Sequence, residues 1–340
     1  MQITSISPKL WNENMMRNLL EFNLNKQWYH QGKWIHLLKP FKWIYYIISN
    51  AWYIRPSEKL KKTVIVCGNI NTGGMGKTPL VIWFAQKFKH SGLNVVVILK
   101  PYRVRRFLGY HFLSINDDTS KYGDEACMIK NKLGIEVVVT FNRSRTLPLI
   151  EKEFDVILLD DGLQDFNTPR SFNLCITDYM KKFGNGQLLP EGPLRNTINA
   201  LINIDEICVR GFSSSLPAYS IEIDGFYLLS DSSKKLLKQL PNKQYIAISS
   251  MAHPEKFHDS LKKHIRQFDH ITFNDHHAWR PIDFFQIHNE SIIVTEKDAV
   301  KLNFDISVDV YVANTKVIPN QHLLTLYTKL LKTIHIDDKV

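Results

Sequence analysis

Short apolar runs alternate with amphipathic stretches along most of this chain. Residues 64–67, Val-Ile-Val-Cys, form a continuous apolar run of the kind found in a strand covered on both faces. Similar runs predict strands over 94–99, 135–140, 156–160, 174–177 and 206–209. Between them, apolar residues at helical spacing predict helices over 78–90, 123–133 and 143–151. Strands alternating with helices imply a mostly parallel sheet with helices on both faces, and ligands at the C-terminal strand ends. A serine- and proline-containing stretch at 211–217 reads as a linker. Beyond it, strands are expected over 219–223, 244–249, 270–273, 291–295 and 308–312, with helices over 254–267 and 320–333. The division expected is an N-terminal segment 1–62, an α/β core 63–215 and a smaller α/β domain 216–340 that contributes to a cleft.

The chain's 340 residues suffice for two cores. Its four cysteines lie far apart and suggest neither a disulfide framework nor a zinc site, which fits a reducing compartment. Neither a cleavable signal peptide nor an apolar run long enough to span a bilayer is apparent. Charge changes the picture most. The net charge is +10, and residues 1–62 hold ten Lys or Arg against three acids, with five of the seven tryptophans. Basic residues mixed with Trp, Tyr and Phe fit an interfacial membrane element centred on 34–48, with Lys33, Lys39 and Lys42 facing lipid headgroups and Trp34, Trp43 and Tyr46 as anchors. Aromatics packed on the protein's own core fit equally well. No nucleic-acid recognition motif is present.

The first candidate chemistry follows the first strand. Asn71-Thr72-Gly73-Gly74-Met75-Gly76-Lys77-Thr78 has the composition of a phosphate-binding loop. Glycines let backbone N–H groups approach a polyanion, Lys77 can reach the β- and γ-phosphates, and Thr78 can place a hydroxyl on Mg²⁺. The helix that follows points its N-terminus at the same charge. The usual pattern has glycine where Asn71 stands. Asp160-Asp161 ends an apolar strand, the place of a Mg²⁺-facing acid in such folds, although paired aspartates also start turns. Asp124 opens a helix, as a cap or as a general base. Asp275-His276 is either plain surface or a carboxylate-held histidine that handles a proton. Arg143, after the strand 135–140, is a candidate to stabilise charge on a transferred group. The glycine- and proline-rich stretch 183–195 reads as a lid or binding loop.

In series, these elements resemble the tetraacyldisaccharide 4′-kinase family over residues 35–305. The ordered motifs are Gly68 to Pro79, Gly123-Asp124-Glu125, Asp160-Asp-Gly-Leu-Gln164, Gly184 to Pro190 with Gly192-Pro-Leu-Arg195, Asp275-His276, and Thr295-Glu-Lys-Asp-Ala-Val-Lys301. The resemblance implies a P-loop kinase fold with ATP and Mg²⁺ as cofactors. It implies transfer of the γ-phosphate to the 4′-hydroxyl of a tetraacylated glucosamine disaccharide 1-phosphate, a lipid A precursor. It places the enzyme peripherally on the cytoplasmic face of an inner membrane, with no obligate protein partner. Asp124 is then the base, supported by His276, and Lys100, Tyr102, Gln164 and Arg195 are substrate-binding positions. Lys100-Pro101 stands where the family has Arg-Gly, Asp165 where it has His, and Glu191 where it has Ala. A membrane-associated switch NTPase shares the phosphate loop but needs none of the later motifs. A kinase of another small metabolite is a further alternative on the same fold.

Overall fold

The computed structural model describes residues 24, 26–29, 34–51, 61–288 and 290–337. Lys33 and most of the first 33 residues lie outside that set, as does the side chain of Trp34.

Among the described residues, twelve strands form one sheet. In chain order they are β1 (Thr63–Gly68), β2 (Val95–Leu99), β3 (Tyr110–Phe112), β4 (Glu136–Thr140), β5 (Val156–Asp160), β6 (Phe172–Asp178), β7 (Glu206–Arg210), β8 (Ala218–Leu228), β9 (Tyr245–Ser249), β10 (Asp269–Thr272), β11 (Ser291–Thr295) and β12 (Val310–Pro319). The helices that matter below are α1 (Lys39–Ala51), α2 (Lys77–His90), α3 (Asp124–Leu133), α4 (Arg143–Ile150), α5 (Pro254–Leu261), α6 (Glu296–Ala299) and α7 (Gln321–Asp337).

The sheet consists of two parallel blocks. The first runs β7-β6-β1-β5-β2-β4, with the short antiparallel β3 at its edge. The second runs β10-β9-β11-β12. This is the mostly parallel α/β architecture expected. Alternate residues of β1 enter opposite layers, Ile65 and Cys67 with α2, Val64 and Val66 with Leu147 and Ile150 of α4. The second block has its own two layers, around Phe257 and around Trp279. Helix α7 returns to the first block, where Leu323, Leu326, Leu330 and Ile334 are buried.

The strands at 218 and 310 differ from expectation. Both run on well past the predicted ends at 223 and 312. Asp224-Gly225 reads as a turn in sequence, yet Gly225 stays in the strand opposite Asn314. β8 pairs with β7 only through Ala218 and Tyr219, and β12 pairs with β11 only over Val310 to Ala313. Residues 220–223 and 315–318 pair with each other, forming a two-stranded ribbon between the blocks. The register shifts between Asn314 and Thr315. Because β8 and β12 are antiparallel, a flat sheet would put the strand tips of the two blocks on opposite edges. Two-stranded ribbons twist strongly, and a bulge adds to the twist. The twist is large enough that residues following β10 touch the start of α3, as the contacts below show.

Candidate active site

The phosphate-loop residues lie between β1 and α2. Gly76 precedes α2 with φ 82, and a side chain there would come within 2.7 Å of Arg210 Cδ. Only glycine fits a left-handed residue in that space without strain. The Tyr219 hydroxyl donates to the Gly76 carbonyl at 2.7 Å, which ties the loop to the root of the ribbon. Gly73 and Gly74 are exposed, and no described residue comes within 4 Å of where their side chains would begin. Met75 is buried, so only its backbone is free to face a phosphate. Asn71 is also buried. Its amide donates to Lys182 O at 3.0 Å, and it bridges to Leu194, which gives a physical role to the departure from glycine.

The stretch 184–195 is strapped across this loop. Thr72 N donates to Pro193 O at 2.8 Å and Arg195 N to Ile70 O. Its outer side meets α1. Lys42 pairs with the buried Glu191 at 2.6 Å and donates to Gln187 at 2.9 Å, His36 lies 3.1 Å from Glu191, and the Tyr45 hydroxyl donates to Arg195 O at 3.1 Å. Lys42 therefore faces the protein, not lipid as the sequence suggested. The Glu191 departure is matched by the cation of α1.

Lys77 donates to Asn69 Oδ1 at 2.9 Å and pairs with Asp161 Oδ1 at 3.2 Å. Arg195 holds the same Asp161 through two nitrogens, at 2.9 and 3.2 Å. Burial alone would raise the Asp161 pKa, but the Lys77 and Arg195 charges hold it well below the ordinary carboxylate value. Asp161 has φ 55, a conformation that aspartate tolerates better than most residues. Gln164 donates to Asn69 O at 2.8 Å and to Asn196 at 2.9 Å, so its amide nitrogen braces the loop.

Asp160 is different. Its Oδ2 accepts from the Thr78 hydroxyl at 2.9 Å, while its buried Oδ1 has no hydrogen-bond partner among the described residues. Burial, with the charges of Glu125 and Asp161, pushes its pKa up to about 7 against the pull of Lys77. An orphaned carboxylate oxygen beside a threonine hydroxyl fits a hard cation that takes the rest of its shell from water and phosphate. Among the described residues no cluster of three or more His, Cys, Asp or Glu could hold a metal, and Mg²⁺ bound with a nucleotide does not require one.

Arg143 needs a correction. It is 2% exposed, and its guanidinium donates to the carbonyls of Asp161 at 3.1 Å and of Asp160, with Asp165 at 3.6 Å. Burial lowers its pKa against these acids. Its two terminal nitrogens are turned to the backbone beneath the two aspartates, so they brace those residues and are not available to a transferred group. Asp165 supplies its counter-charge, which accounts for the acid at that position.

The second cluster joins the two blocks. Gly123, at φ 94, sets the start of α3. Asp124, the first residue of the helix, accepts through Oδ1 from Glu125 N at 2.9 Å, and its Oδ2 lies 2.8 Å from His276 Nδ1. Lys297 Nζ is 3.7 Å from Asp124, 3.3 Å from His276 Nε2 and 3.1 Å from Asp275. Burial favours a protonated Asp124, but the His276 hydrogen bond and the Lys297 and Lys301 charges bring its pKa below the usual value. His276 sits at φ 62, a strained conformation for histidine. The two oxygens of Asp124 are thus divided, one on the first turn of α3 and one on His276. The Tyr102 ring packs 5.2 Å from His276 and is 60% exposed, and Lys100 is exposed at the end of β2.

Sequence reasoning missed Asn69, which gathers Lys77, Gln164 and Arg195, and left Lys297 without a role. Both lie inside quoted motifs, so the signal was present but the partners were not readable.

The profile of the tetraacyldisaccharide-1-P 4′-kinase family, LpxK, matches residues 34–332. A tetraacyldisaccharide 4′-kinase from Legionella pneumophila (strain Lens) is 32% identical over 291 residues, covering 83% of this chain and 89% of its own. One from Pseudoalteromonas translucida is 31% identical over 319 residues, covering 91% and 97%. The crystal structure of LpxK from Aquifex aeolicus, described as a complex with ATP, superposes with a TM-score of 0.71 at 23% identity, over 89% of this chain and 99% of that one. Phosphate loop, strand-end aspartates and the Asp124–His276 pair thus sit on a fold shared with that structure, and the chain belongs to the tetraacyldisaccharide-1-P 4′-kinase family.

Proposed function

We propose that this chain transfers the γ-phosphate of ATP to the 4′-hydroxyl of a tetraacylated glucosamine disaccharide 1-phosphate, giving lipid IVA. The observation that carries the reading is the 2.8 Å contact between Asp124 and His276. It places an ionised carboxylate from the phosphate-loop block against a histidine from the other block, as acceptor chemistry requires and a nucleotide switch does not.

Phosphoryl transfer depends mainly on positioning and on neutralising charge. The backbone N–H groups of residues 72–76 and the Lys77 ammonium would hold the triphosphate, with Asp161 and Asn69 keeping Lys77 in place. Thr78 and Asp160 would hold Mg²⁺, which when bound offsets phosphate charge. Asp124 would accept the sugar hydroxyl's proton. His276 would orient Asp124, and Lys297 would keep it ionised. Tyr102, exposed beside this pair, and Lys100, exposed at the end of β2, are the candidates to contact the sugar. Arg195 and Gln164 act on the loop, not on the acceptor, in this reading.

We assign the protein to a membrane surface, the cytoplasmic face of the inner membrane in this family reading. Leu37, Phe41, Trp43, Ile44 and Ile47 are all more than half exposed around α1, while Lys42 and Tyr45 turn inward. A helix with its apolar face outward and its polar contacts inward suits the headgroup boundary. No described helix is long and apolar enough to cross a membrane.

The test is incubation with labelled ATP and a lipid A precursor pool, with the product identified by mass. Asp124→Asn should lower kcat by roughly 10²–10⁴-fold with little change in the KM for ATP. ATP hydrolysis equally fast with and without glycolipid would instead support the switch reading.

A further inference from the structure

The buried ion pair between Lys132 and Glu296 belongs to neither cluster described above. Lys132 lies in the last turn of α3, the helix that begins with Asp124. Its Nζ donates to Glu296 Oε1 and Oε2 at 2.6 and 2.8 Å, to Asn314 Oδ1 at 3.2 Å and to Thr315 O at 2.7 Å. Glu296 Oε2 also accepts from Thr315 N at 3.1 Å and from its hydroxyl at 2.8 Å. Both charged side chains are nearly buried, at 12% and 10% exposure. One ammonium thus joins three elements: α3 of the first block, α6 of the second, and the point in β12 where the register shifts.

Buried ion pairs seldom stabilise a fold more than well-packed apolar residues would. Their best-attested use is to fix a registry, and the location here indicates which one. Lys297, next to Glu296, contacts Asp124 at the other end of α3. Helices α3 and α6 are therefore joined at both ends of α3, and a rotation of one block against the other that loosens one contact is resisted by the second. The bulge at Asn314 and Thr315 is where such a rotation would change the ribbon's twist. We propose that Lys132 is a positioning residue: by locking Glu296 to the ribbon's bulge it sets the angle between the two blocks, and so holds His276 against Asp124. This rests on the kinase reading for its kinetic consequence but not for its structural one.

Two measurements test it. The four native cysteines are buried, so spin labels can be placed at Lys152→Cys and Asp259→Cys, exposed positions in the first and second blocks. The inter-label distance distribution of the full chain should be narrow, and Lys132→Met should broaden or shift it by several ångströms. Without labels, Lys132→Met should lower kcat by roughly 10- to 100-fold, the size expected when reacting groups are misplaced by about 1 Å. The KM for ATP should stay within about twofold, because the phosphate loop is untouched. Thr315→Val, which removes one hydroxyl from Glu296, should move both readouts the same way by less, and it decides the matter if Lys132→Met does not fold. An unchanged distance distribution in a folded variant overturns the proposal, as does a loss shared equally between kcat and ATP affinity. The distance measurement needs no substrate, so it succeeds or fails independently of the reaction assigned above.

Discussion

Asp160 and Asp298 are both buried and both close to the C-terminal end of a parallel strand, one in each block. Their surroundings are opposite. Asp298 accepts from Ser250 N at 3.1 Å, Ser250 Oγ at 2.5 Å and the Thr295 hydroxyl at 2.8 Å, and it pairs with Lys301 at 2.8 Å. Lys301 also donates to Ser250 Oγ and to His277 O, and lies over the Trp279 ring. Every lone pair that burial strips of water is answered within the protein. Asp160 keeps one oxygen unanswered and a pKa pushed up to about 7 by burial. Burial alone therefore does not separate these two acids, whereas hydrogen-bond satisfaction does. A buried carboxylate left short of partners is costly unless something from outside completes it.

The comparison makes opposite demands on the two sites. Asp160→Asn should reduce transfer by roughly 10²-fold or more, in line with the loss of a preorganised charge in a phosphoryl-transfer site, while the melting temperature of the ligand-free protein stays level or rises. A clear fall in that temperature would mean that Asp160 is structural after all. Asp298→Asn should do the reverse. It leaves the Lys301 charge buried without its counter-ion and should cost about 3–5 kcal/mol of stability, read by denaturant unfolding, with the KM for ATP unchanged in the folded fraction. Ser250→Ala removes only one donor group from that network and should cost about 1–3 kcal/mol. If it proved as damaging as Asp298→Asn, the network rather than the ion pair would carry the stability.

The smallest effect is a pH slope. The folded-state pKa of Asp160 is above that of the unfolded chain, so the folded state holds the proton more tightly. The stability this contributes is complete below about pH 4, the ordinary aspartate value, and is lost as pH rises through about 7. Ligand-free protein should lose stability across that window, and Asp160→Asn should flatten the slope. The rise in melting temperature on adding Mg²⁺ with ATP should be smaller at pH 5 than at pH 8, because at low pH the cation must displace a proton. An equal rise at both values would disprove cation binding by Asp160.

The sequence disclosed some of this and withheld the rest for physical reasons. β1, the glycine loop and α2 were legible because their chemistry is local: a buried strand, backbone freedom, a lysine and a helix start. Asp124 and His276 are 152 positions apart, and only the ordered motif series suggested that they act together. The ribbon was not legible. Its strands carry Asp-Gly and Asn where turns are common, and pairing across some ninety residues overrode that preference. Arg143 was misread because its position after a strand says where it starts, not which way the guanidinium points. Lys132 gave no signal at all, since a lysine in the last turn of a helix is ordinary. Its partners exist only once the ribbon has bent.

The strap over the phosphate loop has a consequence of its own. One side of it is hydrogen-bonded to Thr72 and Ile70, and the other to Lys42 and Tyr45 of the helix assigned to the lipid surface. No flexible linker separates the two contacts. If α1 lies at the headgroup boundary, the height of Lys77 and Asp124 above the bilayer is fixed as firmly as any distance within a folded protein. Such an enzyme measures how far a hydroxyl stands out of the membrane. A sugar raised by an added spacer, or sunk by shorter attachment to its acyl chains, would miss the γ-phosphate even with every contact group intact. Discrimination among glycolipids would then come in part from depth, with no pocket needed to read the chains themselves.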